Sequence, residues 1–237
     1  MIDIYNESNE ATVAQVTKQL VSQGTSIFQI WKKGTTNRKH CKWLLDLARF
    51  PQNARVLDIA CGVGATAHQM SILRPDLTFA LQNTSSSQLA LCPSNFLQFK
   101  GDMDILDNVP DEAFEAAMVC YALGHVKDLK SFLFNAARVL KPGGMLFVYD
   151  IQAGAGSEQW MLDNFNYRTY TASQLAEVAW GERLFGTMEV LEQIRAVELN
   201  CKEFLVCCPI MNEAELRLHT RPVGYRFVKS KQVFGPQ

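Results

Sequence analysis

Apolar positions recur in two rhythms along this chain of 237 residues. Between residues 8 and 23, Val13, Val16, Leu20 and Val21 return near one face of a helix, with Ser8 placed to cap it and Gly24 to end it. A mixed stretch follows from 27 to 40. Residues 39–49 again predict a helix, closed by Pro51. From there the rhythm alternates. Val56, Leu57 and Ile59 predict a strand over 55–59, then a helix over 64–73 and a strand over 77–82. A helix over 85–91, a short strand near 96–99, a strand over 115–121, a helix over 128–140 and a strand over 145–150 complete the series. Lys141, Pro142, Gly143 and Gly144 are expected to stop the last of these helices and turn the chain. Strands alternating with helices imply right-handed crossovers, a parallel sheet and a doubly wound α/β fold.

After 151 the texture changes. Trp160, Phe165, Tyr167, Tyr170, Trp180 and Phe185 follow at irregular spacing, either lining an apolar pocket or forming the core of a cap. Residues 171–180 predict a helix and 188–193 a sixth strand. The run Phe204-Leu-Val-Cys-Cys reads equally as strand or helix. Residues 224–229 alternate well enough for an antiparallel closing strand. The expected organisation is a single domain over 1–237: a helical N-terminal cap (1–50), a core (54–150), and a lid with the final strands (151–237).

Composition removes several function classes. The formal net charge is −1, so no strong basic field is expected to hold a polyanion, which disfavours nucleic acid as a partner. No apolar run approaches the roughly 20 residues that span a bilayer. The first residues show no basic segment followed by an apolar core, so no secretion signal is expected. Seven cysteines, without a C-x-x-C pair, speak against a metal site and suit reduced thiols in the cytoplasm.

The chemistry concentrates in Asp58-Ile-Ala-Cys-Gly-Val-Gly64. A strand ends in an acid, then breaks into a glycine turn ahead of a helix start. Such a turn brings backbone close to a ligand, and the helix N-terminus offers free N–H groups. Gly62-x-Gly64-x-x-Ala67 also fits the dinucleotide fingerprint. That fingerprint expects an acid about 20 residues on, yet residues 80–88 contain none. Asp58 would also repel a pyrophosphate, whereas it suits an ammonium group.

The D-x-x-C-G-x-G string resembles the first motif of the class I S-adenosylmethionine-dependent methyltransferases, and the likeness extends in order and spacing from about 54 to 150. It implies a Rossmann-like sheet and S-adenosyl-L-methionine as cofactor, with Asp58 and the turn residues Ala60, Cys61, Gly62 and Gly64 at the methionine end. Asn83, Thr84, Ser85 and Gln88 resemble the N/T-x-S-x-x-Q variant of the sterol, tocopherol, cyclopropane-fatty-acid and terpenyl-diphosphate methyltransferases. Asn83 stands where the family usually has Asp or Glu for the ribose diol; Thr84 and Ser85 serve equally well as helix caps. Asp102 and Met103 match the adenine-binding pair, although Asp102 sits in an acidic loop where any one acid can be solvated surface. Residues 120–122, Cys120 among them, would flank the methionine moiety. His125 is either a base or a structural histidine beneath the cofactor. Tyr121 stands near a position where some carbon-methylating relatives carry Glu, a departure that leaves a tyrosine face beside a developing cation.

The implied activity is methyl transfer by in-line displacement, with catalysis residing mainly in alignment and water exclusion. A small, partly apolar acceptor is expected, with residues 1–40 and 156–220 forming its pocket. An RNA or protein acceptor, or a cofactor-binding protein without turnover, are the alternatives. No metal is called for, and a monomer or homodimer is expected.

Overall fold

The computed structural model describes residues 38–120, 122–152, 199–206 and 221–230. The helix expected over 8–23, the aromatic segment 158–185, the helix over 171–180 and the strand over 188–193 lie outside these residues. Within them the chain runs α1 (Arg38–Ala48), β1 (Arg55–Ile59), α2 (Ala65–Leu73), β2 (Thr78–Asn83), α3 (Ser86–Leu89), β3 (Leu97–Lys100), β4 (Phe114–Cys120), a 3-10 turn (Leu123–His125), α4 (Leu129–Val139), β5 (Leu140–Gln152), β6 (Leu199–Val206) and β7 (Arg221–Lys229).

These strands form one seven-stranded sheet in the order β3-β2-β1-β4-β5-β7-β6. The pairs from β3 through β5 are parallel, and β7 is antiparallel to both β5 and β6. The expected doubly wound sheet with an antiparallel closing strand is therefore present. The ambiguous run at 204–206 is strand, paired in register with 223–225.

Alternation along each strand sends side chains to two cores. Val56, Phe79, Leu81, Ala116, Met118 and Phe147 meet α1 and α2 on one face. Leu57, Ile59, Ala117, Val119, Leu146 and Val148 meet α4 on the other. Apolar residues at both parities are the signature of a parallel sheet covered twice. Fully buried side chains such as Leu57 and Phe147 each contribute about 1.5–3 kcal/mol.

One local detail differs from the sequence expectation, and the helix caps follow it. Helix α4 ends at Val139, before Pro142, and Leu140 is already extended and paired with Phe114. The register shifts between Phe114 and Ala116, so Lys141–Gly144 is a bulge inside β5 and not the helix stop. Ser85 caps α3, its hydroxyl accepting the Gln88 N–H at 3.2 Å. Asp128 likewise caps α4 by accepting from the Lys130 N–H at 3.0 Å.

Candidate active site

The carboxyl ends of β1, β2 and β4 open around a cavity of about 230 Å³. An α/β sheet parts there because neighbouring crossovers lie on opposite faces. The first wall is the turn after β1. Ala60, Gly62 and Gly64 all take left-handed backbone angles, with φ of 56°, 58° and 70°. A Cβ added at Gly62 would meet nothing within 4 Å, whereas one at Gly64 would lie 2.8 Å from Leu81 Cδ1. Gly62 thus leaves open space at the cavity wall, and Gly64 lets the turn pack on β2. Of the predicted turn residues, Asp58, Ala60, Cys61 and Gly62 line the cavity and Gly64 stands behind it.

Asp58 is buried, and its Oδ2 has no hydrogen-bond partner among the described residues. Burial disfavours the charged form and pushes the carboxyl up to about 8. A buried carboxylate without a partner is costly unless a cation meets it. Cys61 is no thiolate: its hydrogen bond with Cys92 and its burial push the thiol up. Its role in the turn is therefore packing, not nucleophilic reactivity.

The second wall comes from β2 and α3. Thr84 and Gln88 line it with Asn83. Asn83 Nδ2 donates to Gly62 O (3.2 Å) and Gln88 Oε1 (2.7 Å), and Asn83 Oδ1 accepts the Thr84 N–H at 3.0 Å. The amide predicted to meet a diol thus also ties this wall to the glycine turn.

The third wall is the loop after β3. Asp102 and Met103 line it as expected. Asp102 Oδ1 accepts the Asp104 N–H at 2.9 Å, and Oδ2 pairs with Lys127 at 3.0 Å. Asp104 turns away from the cavity and accepts the N–H groups of Lys127 (2.9 Å) and Asp128 (3.1 Å), pinning this loop to the start of α4. Cys120 and His125 also line the cavity. Burial lowers His125 to about 4, so its imidazole is neutral at ordinary pH. Tyr121 lies outside the described residues.

Sequence reasoning missed two lining residues, Thr66 and Lys127, and named Gln82 and Ala122 only as members of the 82–88 string and the 120–122 run. Neither Gln82 nor Lys127 signals a role by residue type without its spatial partners.

The residues present fit a ligand with a cationic end and a flat, hydrogen-bonding end. The orphaned Asp58 oxygen suits an ammonium, and Asp102 with Met103 suits an amino-substituted ring. Residues 57–148 match the methyltransferase domain family. This segment is a class I S-adenosylmethionine-dependent methyltransferase domain. The dinucleotide alternative is thereby set aside.

The methyltransferase domain has relatives of more than one chemistry. An S-adenosyl-L-methionine-dependent Diels-Alderase from Talaromyces variabilis is 27% identical over 173 residues, 66% of this chain and 58% of that protein. An O-methyltransferase from Aspergillus nomiae is 33% identical over 113 residues, 43% of this chain and 48% of that protein. The matched part spans about half the length of these curated relatives. Among solved structures, the cyclase SpnF aligns with a TM-score of 0.62 at 16% identity, over 82% of this chain and 81% of that one, a likeness of fold. No helix among the described residues is long and apolar enough to cross a membrane.

Proposed function

We propose that this chain binds S-adenosylmethionine in the cavity and transfers its methyl group to a small, partly apolar molecule. The observation that carries this reading is Asp58: a buried carboxyl with an unmet oxygen, beside a glycine turn with open space in front of it. The near-neutral net charge favours a small acceptor over a polyanionic one.

Asp58 would hold the α-ammonium, and the N–H groups of the turn its carboxylate. Gln88, Thr84 and the remaining acceptor capacity of Asn83 Oδ1 would meet the ribose diol. Asp102 would take the adenine amino group, with Met103 along the ring. Cys120 would flank the methionine moiety. The bound cofactor supplies an electrophilic methyl on sulfur that leaves as a neutral thioether. The chain's own contribution is alignment and exclusion of water. His125, neutral and lining the cavity, would accept a proton or orient the acceptor. Tyr121 remains the second candidate beside the acceptor.

Calorimetry with S-adenosylhomocysteine tests the cofactor assignment, and the absence of binding would overturn it. A His125→Ala variant with intact cofactor affinity and lost turnover would support a catalytic role; unchanged turnover would make the residue structural.

A second reading follows from the likeness to the Diels-Alderase, 27% identical over 66% of this chain. In it the cofactor is held unreacted while the protein folds a polyene for ring closure. Mass spectrometry separates the two: methyl transfer adds one methylene to the product and releases S-adenosylhomocysteine, whereas cyclisation leaves the mass unchanged.

A further inference from the structure

We propose that Gln82 is a positioning residue for the cofactor: its buried side-chain amide clamps the glycine turn after β1 and the loop after β3 at a fixed spacing, so that both lips of the cavity reach one ligand. This inference rests on reading the cavity as the S-adenosylmethionine site.

The parallel ladders end here. β1 pairs with β2 as far as Ile59 opposite Gln82, and β2 pairs with β3 as far as Asn83 opposite Lys100. Beyond these pairs the chains must part to open the cavity, and each parting backbone leaves donors and acceptors to satisfy. Gln82 meets three of them. Its main-chain oxygen accepts the Cys61 N–H at 2.9 Å. Its Oε1 accepts the Ala60 N–H at 3.1 Å, and its Nε2 donates to Gly101 O at 2.7 Å. The amide orientation follows from these partners, since an N–H must face the oxygen and a carbonyl the nitrogen. The Gly101 N–H is taken by Asn83 O at 3.1 Å, so both backbone groups of Gly101 are held from β2.

The two lips carry different ends of the proposed ligand. Ala60 leads the turn beside Asp58, and Gly101 precedes Asp102. Ala60 holds a left-handed φ of 56° without being glycine, a conformation that persists only where surroundings impose it. Gln82 is 1% exposed, so its amide bonds are shielded from competing water. One neutral side chain supplies both an acceptor and a donor here. An apolar replacement leaves Ala60 N–H and Gly101 C=O unmet. A carboxylate presents a second acceptor to Gly101 O where the amide donates.

The test compares S-adenosylhomocysteine affinity by calorimetry for the wild-type chain, Gln82→Met and Gln82→Glu, from pH 5 to 8. Gln82→Met keeps the shape and loses both side-chain bonds; its affinity is expected to fall about tenfold to a hundredfold at every pH. Gln82→Glu has a built-in rescue. Protonated, it accepts from Ala60 and donates to Gly101 as the amide does; ionised, it cannot donate. Its affinity relative to wild type is therefore expected to approach parity at low pH and to fall as pH rises. Asp58, Cys61, Asp102, Cys120, His125 and Lys127 share the cavity, are common to all three proteins, and drop out of that ratio to first order. A purely structural role for Gln82 would lower the ligand-free melting temperature without this pH-dependent ratio. Should Gln82→Met not fold, Gln82→Leu, which also removes both side-chain bonds, takes its place. If wild type binds and Gln82→Met matches it at every pH, the clamp is overturned. If wild type itself does not bind, the cofactor reading falls, and this inference with it.

Discussion

Lys127 reaches from the turn before α4 to Asp102, its Nζ 3.0 Å from Oδ2. The pair bridges the loop after β3 and the residue two beyond His125, and both of its members line the cavity. Half of the lysine side chain is exposed, and ion pairs of this kind contribute about 0–1 kcal/mol. Lys127→Met is expected to change unfolding free energy in denaturant by no more than about 1 kcal/mol. Asp102→Ala, in contrast, is expected to weaken S-adenosylhomocysteine binding about tenfold, the scale of one lost charge-assisted hydrogen bond. Equal affinity of Asp102→Ala and wild type would remove Asp102 from the site.

Asp58 couples folding, ligand binding and pH. Its carboxyl stands at about 8 in the fold, above the ordinary 3.8. A group whose folded value is raised binds more protons folded than unfolded. Its effect on stability is nil below the unfolded value and grows unfavourable as pH rises from about 4 to 8. The ligand-free chain should therefore lose stability across that window, and Asp58→Asn should flatten the loss; parallel denaturant titrations check both. Binding an ammonium needs the ionised form. Affinity for S-adenosylhomocysteine should then rise up to about tenfold per pH unit between 6 and 8. Calorimetric enthalpies in buffers of different ionisation heat should report proton release.

The two glycines of the turn should respond differently to alanine. Gly64→Ala meets Leu81 Cδ1 at 2.8 Å in a left-handed backbone, and a stability loss of about 2–4 kcal/mol is expected. Gly62→Ala meets nothing within 4 Å, so it should cost only the backbone penalty of about 1–2 kcal/mol. Its methyl group would enter open space at the cavity wall, and S-adenosylhomocysteine affinity should fall. Thermal unfolding with and without ligand separates the two effects.

Arg138 anchors the acidic loop from α4. Its guanidinium donates to the carbonyl oxygens of Leu106 (2.7 Å), Val109 (3.1 Å) and Ile105 (3.3 Å), and it pairs with Asp111. Arg138→Met keeps the stem and removes these donors. A stability loss of about 1–3 kcal/mol is expected, with faster hydrogen exchange confined to residues 105–112. Uniform protection in that loop would show that the anchor is dispensable.

The order of strands and helices, the two-faced sheet and the acid-plus-glycine turn were all readable from residue order. They depend on local causes: side-chain period, backbone freedom at glycine and the helix stop–start residues. Asp58 and Gly62 stand out by residue type and order, Asp102 and His125 by the family resemblance, and the fold brings all four to one cavity. The bulge at Lys141–Gly144 was misread as a helix stop, because the register of β5 against β4 is a property of two strands and not of one. Gln82 and Lys127 belong to the same class of decision. Gln82 bonds across 22 and 19 residues, and Lys127 across 25. Sequence patterning settled which segments become strands and where the backbone can bend. Only the assembled sheet determined which polar group each bend would leave unmet, because a hydrogen bond is specified by the position of its partner.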